Sequence, residues 1–279
     1  MADAYLVQPV FKAMQVLRCL GEERRELTLS EICHLVNLPK TTVFRYLYTL
    51  AQCGFVYHDP ETELYRVGIR MWELSKLSSE LSEVRDLALP VMRELRDQFN
   101  ETINLGILDG PEVVYLEMVE SRRSLRMQAK IGNRDPIYAT ALGKALLAFV
   151  AEERWPEHIP PALVARTAHT LTTLTLLRND LLQTRRQGYA LDNEENEEGA
   201  RCVSAPIFNH AGLPVAAISL SAPTTRFNVR QAAKVGKVLA AAGQRISGQL
   251  GFGVGQVGVT EPFEDATDGS CVGEQPPTQ

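Results

Sequence analysis

Two short apolar stripes of helical period stand three residues apart near the start of this chain. In LTLSEICHLV, Leu29, Ile32, Leu35 and Val36 recur at three- and four-residue steps, and in KTTVFRYLYTLAQ so do Val43, Leu47 and Leu50. Only Asn37, Leu38 and Pro39 separate them. Thr28, with Glu31 three residues on, has the pattern of a capping box that starts the first helix. Asn37 suits the left-handed turn that ends it, and Pro39 prevents it from running on.

The flanks restrict the choice further. PVFKAMQVLRCLGEE places Val10, Ala13, Met14, Leu17 and Leu20 at helical spacing, with Gly21 as a stop. After Gly54, FVYHD and LYRVG flank a PETE turn and form a β-hairpin. Helix, short helix, turn, helix and hairpin make a winged helix-turn-helix, expected over residues 7–69. At 279 residues the chain has room for a second domain.

Charge gives no bulk support for nucleic-acid binding. The net charge is −5, and residues 1–80 hold nine Lys or Arg against ten Asp or Glu. The distribution is what matters: from Asn37 to His58 there is no carboxylate. The third helix therefore concentrates a positive field, and it fits the major groove of double-stranded DNA, where Arg45 can read a guanine edge. Lys40, Thr41, Thr42, Tyr46 and Thr49 share that helix and can reach bases or phosphates, although Tyr46 and Tyr48 also suit partly buried packing. Lys12, Thr28 and Ser30 complete the expected DNA-binding set, Lys12 through a phosphate. A protein-docking role for the winged helix is the weaker reading, because an acid-free helix with an exposed Arg and three Thr is a poor protein-docking face.

PVFKAMQVLRCL, LTLSEICHLVNLPKTTVFRYLYTLAQCGFV and YRVGIRMWEL resemble the N-terminal domain of the IclR family of bacterial transcription regulators. The likeness continues through YATALGKALLA and GYALDNEENEEGARCVSAPIFNHAGLPVAAISLSAPTTRF. It covers nearly all of residues 8–250. The resemblance implies a DNA-binding homodimer, or a dimer of dimers, whose C-terminal GAF-like domain senses a small-molecule effector.

Residues 70–83 are helical in pattern, without Gly or Pro, and are expected to be a rigid linker helix. In the family such a helix also helps pair the DNA-binding domains. From Val84 an amphipathic helix leads into strand-like runs at TINLGIL, EVVYLEMV and LRMQAKI. Helices follow at ALGKALLAFV and TTLTLLRNDLLQTRRQG, strands at GYAL, CVSAPIF and PVAAISLS, and a last helix at about 229–250. This order indicates an α+β domain over residues 84–250. Residues 251–279, rich in Gly, Pro and acids, are expected to be a disordered tail containing an inert Cys271.

Five scattered cysteines with no CxxC pair, no basic stretch leading into an apolar one at the start, and no long uncharged apolar run lead to the expectation of a cytoplasmic protein without disulfides or a membrane span. The run Asp192–Glu198 holds five acids, yet it lacks the spacing of a calcium loop and contains no His, so no metal or other cofactor is expected. Acids after Asp192 are expected to be a solvated loop.

A thiol enzyme or redox sensor built on Cys202 is the alternative. It would need a base such as His210, which lies in a turn, and help from Arg201, which points to the opposite face of a strand. No catalytic residue is expected. A pocket accounts for more of the chain. Ser219 and Ser221, two apart, face one side of the sheet, and Cys202 can share it. Thr140 can cap the helix ALGKALLAFV, whose free N–H groups at Ala141 and Leu142 can hold an anion. In IclR-type proteins the positions that match Asp192, Cys202 and the serine pair line the effector site, with spacings preserved without gaps. A carboxylate or aromatic acid fits such a wall. Lys144 is expected to face solvent, and Arg126, Lys130 and Arg134 to be exposed charges, a cationic rim for an acidic ligand being the weaker reading.

Overall fold

The structure is a computed structural model that describes residues 5–23, 25–77 and 79–253. Cys271 and all but the first three residues of the expected tail lie outside the described residues. The chain divides into two compact units at the Glu83–Val84 bond.

The first unit contains α1 (Gln8–Glu23), β1 (Leu27–Thr28), α2 (Leu29–Val36), α3 (Lys40–Gln52), β2 (Val56–His58), β3 (Leu64–Val67) and α4 (Ile69–Leu77). The capping box is present at the start of α2: the Thr28 hydroxyl accepts from the Glu31 N–H, and the Glu31 carboxylate accepts from the Thr28 N–H. Asn37 ends the helix at φ 51°. Val16, Leu17 and Leu20 of α1, Ile32 of α2 and Val43, Leu47 and Leu50 of α3 bury together against Leu27, Val56 and Tyr65. Each such aliphatic side chain contributes about 1.5–3 kcal/mol.

Three details differ from the pattern read in sequence, the first being that Leu35 of the α2 stripe is exposed. Only the second half of the α1 stripe is buried, while Val10 and Met14 are exposed together with Val7 and Phe11. The wing also gains a third strand, since β1 pairs with β3 through Leu27↔Tyr65, giving the order β1-β3-β2. Gly68 donates to the Phe55 carbonyl at 2.8 Å, and a Cβ there would sit 2.2 Å from the Gly54 oxygen, so only glycine closes the wing at this point.

The second unit is built on one antiparallel six-stranded sheet in the order β6-β5-β4-β9-β8-β7. Its strands are β4 (Thr102–Asp109), β5 (Glu112–Val119), β6 (Arg134–Pro136), β7 (Ala190–Asn193), β8 (Ala200–Phe208) and β9 (Pro214–Pro223). α5 (Ser79–Phe99) and α8 (Val229–Gln249) cover one face. Val84, Ala88, Met92 and Leu95 meet Ile103, Leu105, Val203, Ala205, Ile218 and Leu220 there. Strand alternation sends Asn104, Cys202, Ser204, Ser219 and Ser221 to the other face. There α6 (Ala141–Leu147) lies across β4, β7, β8 and β9, with α7 (Leu174–Gln187) beside it. Helices and strands combine in the expected α+β architecture.

The expected linker, residues 70–83, spans α4 and the first turn of α5. LRMQAKI is not a strand: residues 125–131 run without ladder pairing. Side chains tie down its backbone instead, Arg226 holding the Leu125 carbonyl at 2.9 Å and the Thr102 hydroxyl the Met127 carbonyl at 2.7 Å. These partners lie far away in sequence, which is why an apolar run could imitate a strand.

Candidate DNA-reading helix and effector pocket

On α3 the buried stripe leaves a wide outer face. Lys40, Thr41, Arg45 and Thr49 are exposed, Thr42 and Tyr46 half-buried. Arg45 has no carboxylate partner among the described residues, whereas Arg25, Arg66 and Arg70 pair with Glu31, Glu26 and Glu73. An unpaired guanidinium on an acid-free helix keeps its five donors for another molecule. Tyr46 packs against the core as expected, but Tyr48 is exposed and lies alongside Phe44, ring centroids 6.4 Å apart. The Thr49 hydroxyl donates to the Arg45 carbonyl at 2.9 Å, and the Thr28 hydroxyl is engaged by Glu31, so both are partly spent within the protein. Ser30 is exposed on α2 and Lys12 half-buried on α1.

In the second unit, strand register brings the expected pocket residues into adjacent rows. Asp192 stands opposite Cys202, Cys202 opposite Ser221, and Ser221 opposite Thr102. The next row runs Ser204, Ser219, Asn104. Four positions spread over 30 residues of sequence thus become neighbours because β8 lies between β7 and β9.

Asp192 is buried, and its Oδ1 accepts the N–H of Glu195 at 2.8 Å and of Asn196 at 3.4 Å. Burial, followed by the charge of Glu195, pushes its carboxyl up to about 7 against the opposing pull of Lys144. Cys202 is half-buried, yet desolvation, with Asp192 next, holds its thiol well above the ordinary range. A nucleophilic or redox-active cysteine needs the reverse. Arg201, on the opposite face, is occupied by Asn193, Glu194 and the Phe227 carbonyl and does not assist the thiol.

Asn104, Tyr115 and Asp135 complete the wall, and sequence reasoning did not single them out. Asn104 Nδ2 donates to Ser221 Oγ at 3.1 Å and weakly to Ser219 Oγ at 3.4 Å. The Tyr115 hydroxyl donates to Asp135 at 3.1 Å, and burial, then Asp135, then Cys202, raise its pKa. The one available signal was a polar residue inside the otherwise apolar TINLGIL.

α6 begins over the same face. The Thr140 hydroxyl accepts from the Gly143 N–H and donates to the Pro136 carbonyl, both at 3.1 Å. The N–H groups of Ala141 and Leu142 fall outside the helix's own bonding by position. A Cβ on Gly143 would lie 2.2 Å from the Ile137 oxygen, so glycine lets α6 seat this closely.

Lys144 does not face solvent. It is fully buried, gripped by both Glu195 oxygens at 2.7 and 2.8 Å and by Asp180 at 3.1 Å. Burial disfavours its charge, but Glu195 and Asp180 outweigh that and its pKa is raised. Glu195 is accordingly not part of a solvated loop. Of the three cations weighed as a rim, Lys130 and Arg134 are exposed, Arg126 pairs with Glu120, and Arg134 with Asp109 and Glu112. Two cavities lie elsewhere. One of about 210 Å³ is beside Gln15, Cys19 and Leu35, and one of about 310 Å³ is beside Phe149, Arg185 and Phe208. The first is lined by Gln15, Arg18, Glu22 and Glu23, the second by Arg185, Arg186 and Gln187, and neither includes a residue of the Asp192–Cys202 wall.

Residues 9–60 match the IclR helix-turn-helix domain, and residues 78–248 match the bacterial transcriptional regulator IclR C-terminal domain. The chain belongs to the IclR family. As an IclR-type transcriptional regulator, it carries its DNA-binding helix-turn-helix in the first unit. KdgR of Escherichia coli is 37% identical over 88% of this chain and 94% of its own length. The transcriptional repressor IclR of the same organism is 30% identical over 86% and 89%. Among solved structures, the Thermotoga maritima IclR superposes with a TM-score of 0.72 at 32% identity, covering 88% of this chain and all of its own. An IclR homolog from Microbacterium hydrocarbonoxydans, complexed with 4-hydroxybenzoate, gives 0.75 at 26% identity, covering 87% and 98%. The curated relatives are named as regulators, not as enzymes. No helix among the described residues is long and apolar enough to cross a membrane.

Proposed function

We propose that this IclR-type regulator acts in the cytoplasm without catalytic activity, binding a pseudo-palindromic operator as a homodimer or dimer of dimers. A small carboxylate or aromatic acid held by the second unit would modulate that binding. The observation that carries the pocket reading is the cross-strand row Asp192–Cys202–Ser221 beneath α6. Thr140, Ala141 and Leu142 would receive an anionic end, while Asp192, Cys202, Ser219 and Ser221 would meet the other. The 4-hydroxybenzoate bound by the Microbacterium homolog supports an aromatic acid as one occupant.

Arg45 would read base edges, with Lys40, Thr41, Thr42, Tyr46 and Thr49 around it and Lys12, Thr28 and Ser30 at the margins. Self-association is supported by apolar side chains left exposed on the first unit, Val10, Phe11 and Met14 of α1 and Ile69, Met71 and Leu74 of α4.

The test is to incubate the purified protein with sheared DNA from its source at a stated salt concentration and sequence what it retains. Expected are a few enriched sites sharing a two-fold motif, with Arg45→Ala weakening binding to them and relaxing specificity. Diffuse, salt-sensitive retention, or unchanged affinity in Arg45→Ala, overturns the α3 assignment.

A further inference from the structure

Asn104 is 3% exposed, and among the described residues its Oδ1 has no hydrogen-bond partner. A buried amide oxygen left unpaired costs about 1–3 kcal/mol, so such a group in a polar wall calls for a reason. The rest of the side chain is fixed. Its Nδ2 donates to Ser221 Oγ at 3.1 Å and weakly to Ser219 Oγ at 3.4 Å. The amide oxygen is the end left over. Backbone register places Asn104 opposite Ser219, on the same face as Cys202 and Asp192 and under α6.

We propose that Asn104 is a specificity-determining residue of the effector pocket, its free amide oxygen accepting a hydrogen from a hydroxyl or amine on the effector. The inference rests on the pocket reading above and narrows it: the effector is a small acid that also carries a hydrogen-bond donor. The matching acid without that donor leaves the amide oxygen buried and unpaired, and it binds about tenfold to a hundredfold more weakly.

The experiment compares acids that differ by one hydroxyl, lactate against propionate and mandelate against phenylacetate. Binding is followed by calorimetric titration of the full chain and its Asn104→Ala and Asn104→Thr variants. Operator binding by each variant serves as the check on folding. The expected result is that at least one hydroxy acid binds the parent protein tenfold or more tightly than its partner. That ratio should collapse towards one in Asn104→Ala and partly return in Asn104→Thr, which keeps a polar oxygen. Equal binding of both members of each pair, or a preference that survives in Asn104→Ala, overturns the role of Asn104 while leaving the pocket standing. Binding of none of the four acids at millimolar concentration overturns the small-acid reading itself, and the inference with it.

Discussion

Asp192 and Lys144 show how differently single residues are written in a sequence. The Asp192 carboxyl lies at about 7 in the fold against 3.8 for the free side chain, so the folded chain holds its proton more tightly. At pH below about 4 both states are protonated and the contribution to stability is complete. Between about 4 and 7 the unfolded chain ionises first, and stability falls as pH rises. Asp192→Asn, which keeps an acceptor for the Glu195 and Asn196 N–H groups, should flatten that part of the profile. Urea midpoints across this range measure it, and an unchanged slope would refute the assignment. Lys144 was misread because a lysine in ALGKALLAFV resembles the polar edge of an amphipathic helix. Its partners Glu195 and Asp180 are 51 and 36 positions away. Lys144→Met leaves two carboxylates without their cation and should cost about 3–5 kcal/mol. Adding Glu195→Gln should recover part of the loss in thermal melting. The adjacency of Asp192, Cys202 and the serine pair was legible through their spacing and the family resemblance. Asn104, Tyr115 and Asp135 were not, since their meaning depends on which strands become neighbours.

At the scale of elements, local chemistry predicted well wherever the sequence carried its own stop and start signals. The α2 capping box is such a case, and Thr28→Ala should lower stability by about 1 kcal/mol, read as a reduced melting temperature of the first unit. Elements without local signals were missed or invented. β1 has two residues and no periodicity to detect, while residues 125–131 have a strand's composition but are held by Arg226 and Thr102. α6 lies between these extremes: its helical character was readable, its burial on every side was not. Gly143→Ala tests the seating of that helix. A Cβ 2.2 Å from the Ile137 oxygen must push α6 away from the segment that joins it to β6, so both thermal stability and acid binding should fall. If only stability falls, α6 supports the fold without forming part of the pocket.

For the whole molecule, two sets of properties sit on two compact units. The acid-free α3 with its unpaired Arg45 belongs to residues 1–83, and the Asp192–Cys202–Ser221 wall belongs to residues 84–279. In sequence the second domain was expected to begin at Val84, after a linker helix of residues 70–83. A homodimer or dimer of dimers was expected from the family resemblance alone, because the exposed apolar residues of α1 and α4 look like ordinary core positions until the fold leaves them uncovered. A regulator made this way must couple its ends through free energy. An acid that changes operator affinity has to bind the DNA-competent and DNA-incompetent arrangements with different strength. Linkage then makes the effect reciprocal: if the acid weakens operator binding by some factor, operator DNA weakens acid binding by the same factor. Titrating the acid into the protein alone and into its operator complex measures one side of this equality, and operator titrations with and without acid measure the other. Equal factors of about five to a hundred and fifty, corresponding to about 1–3 kcal/mol, are the expected outcome. Acid affinity that is indifferent to operator would mean that the pocket binds without regulating.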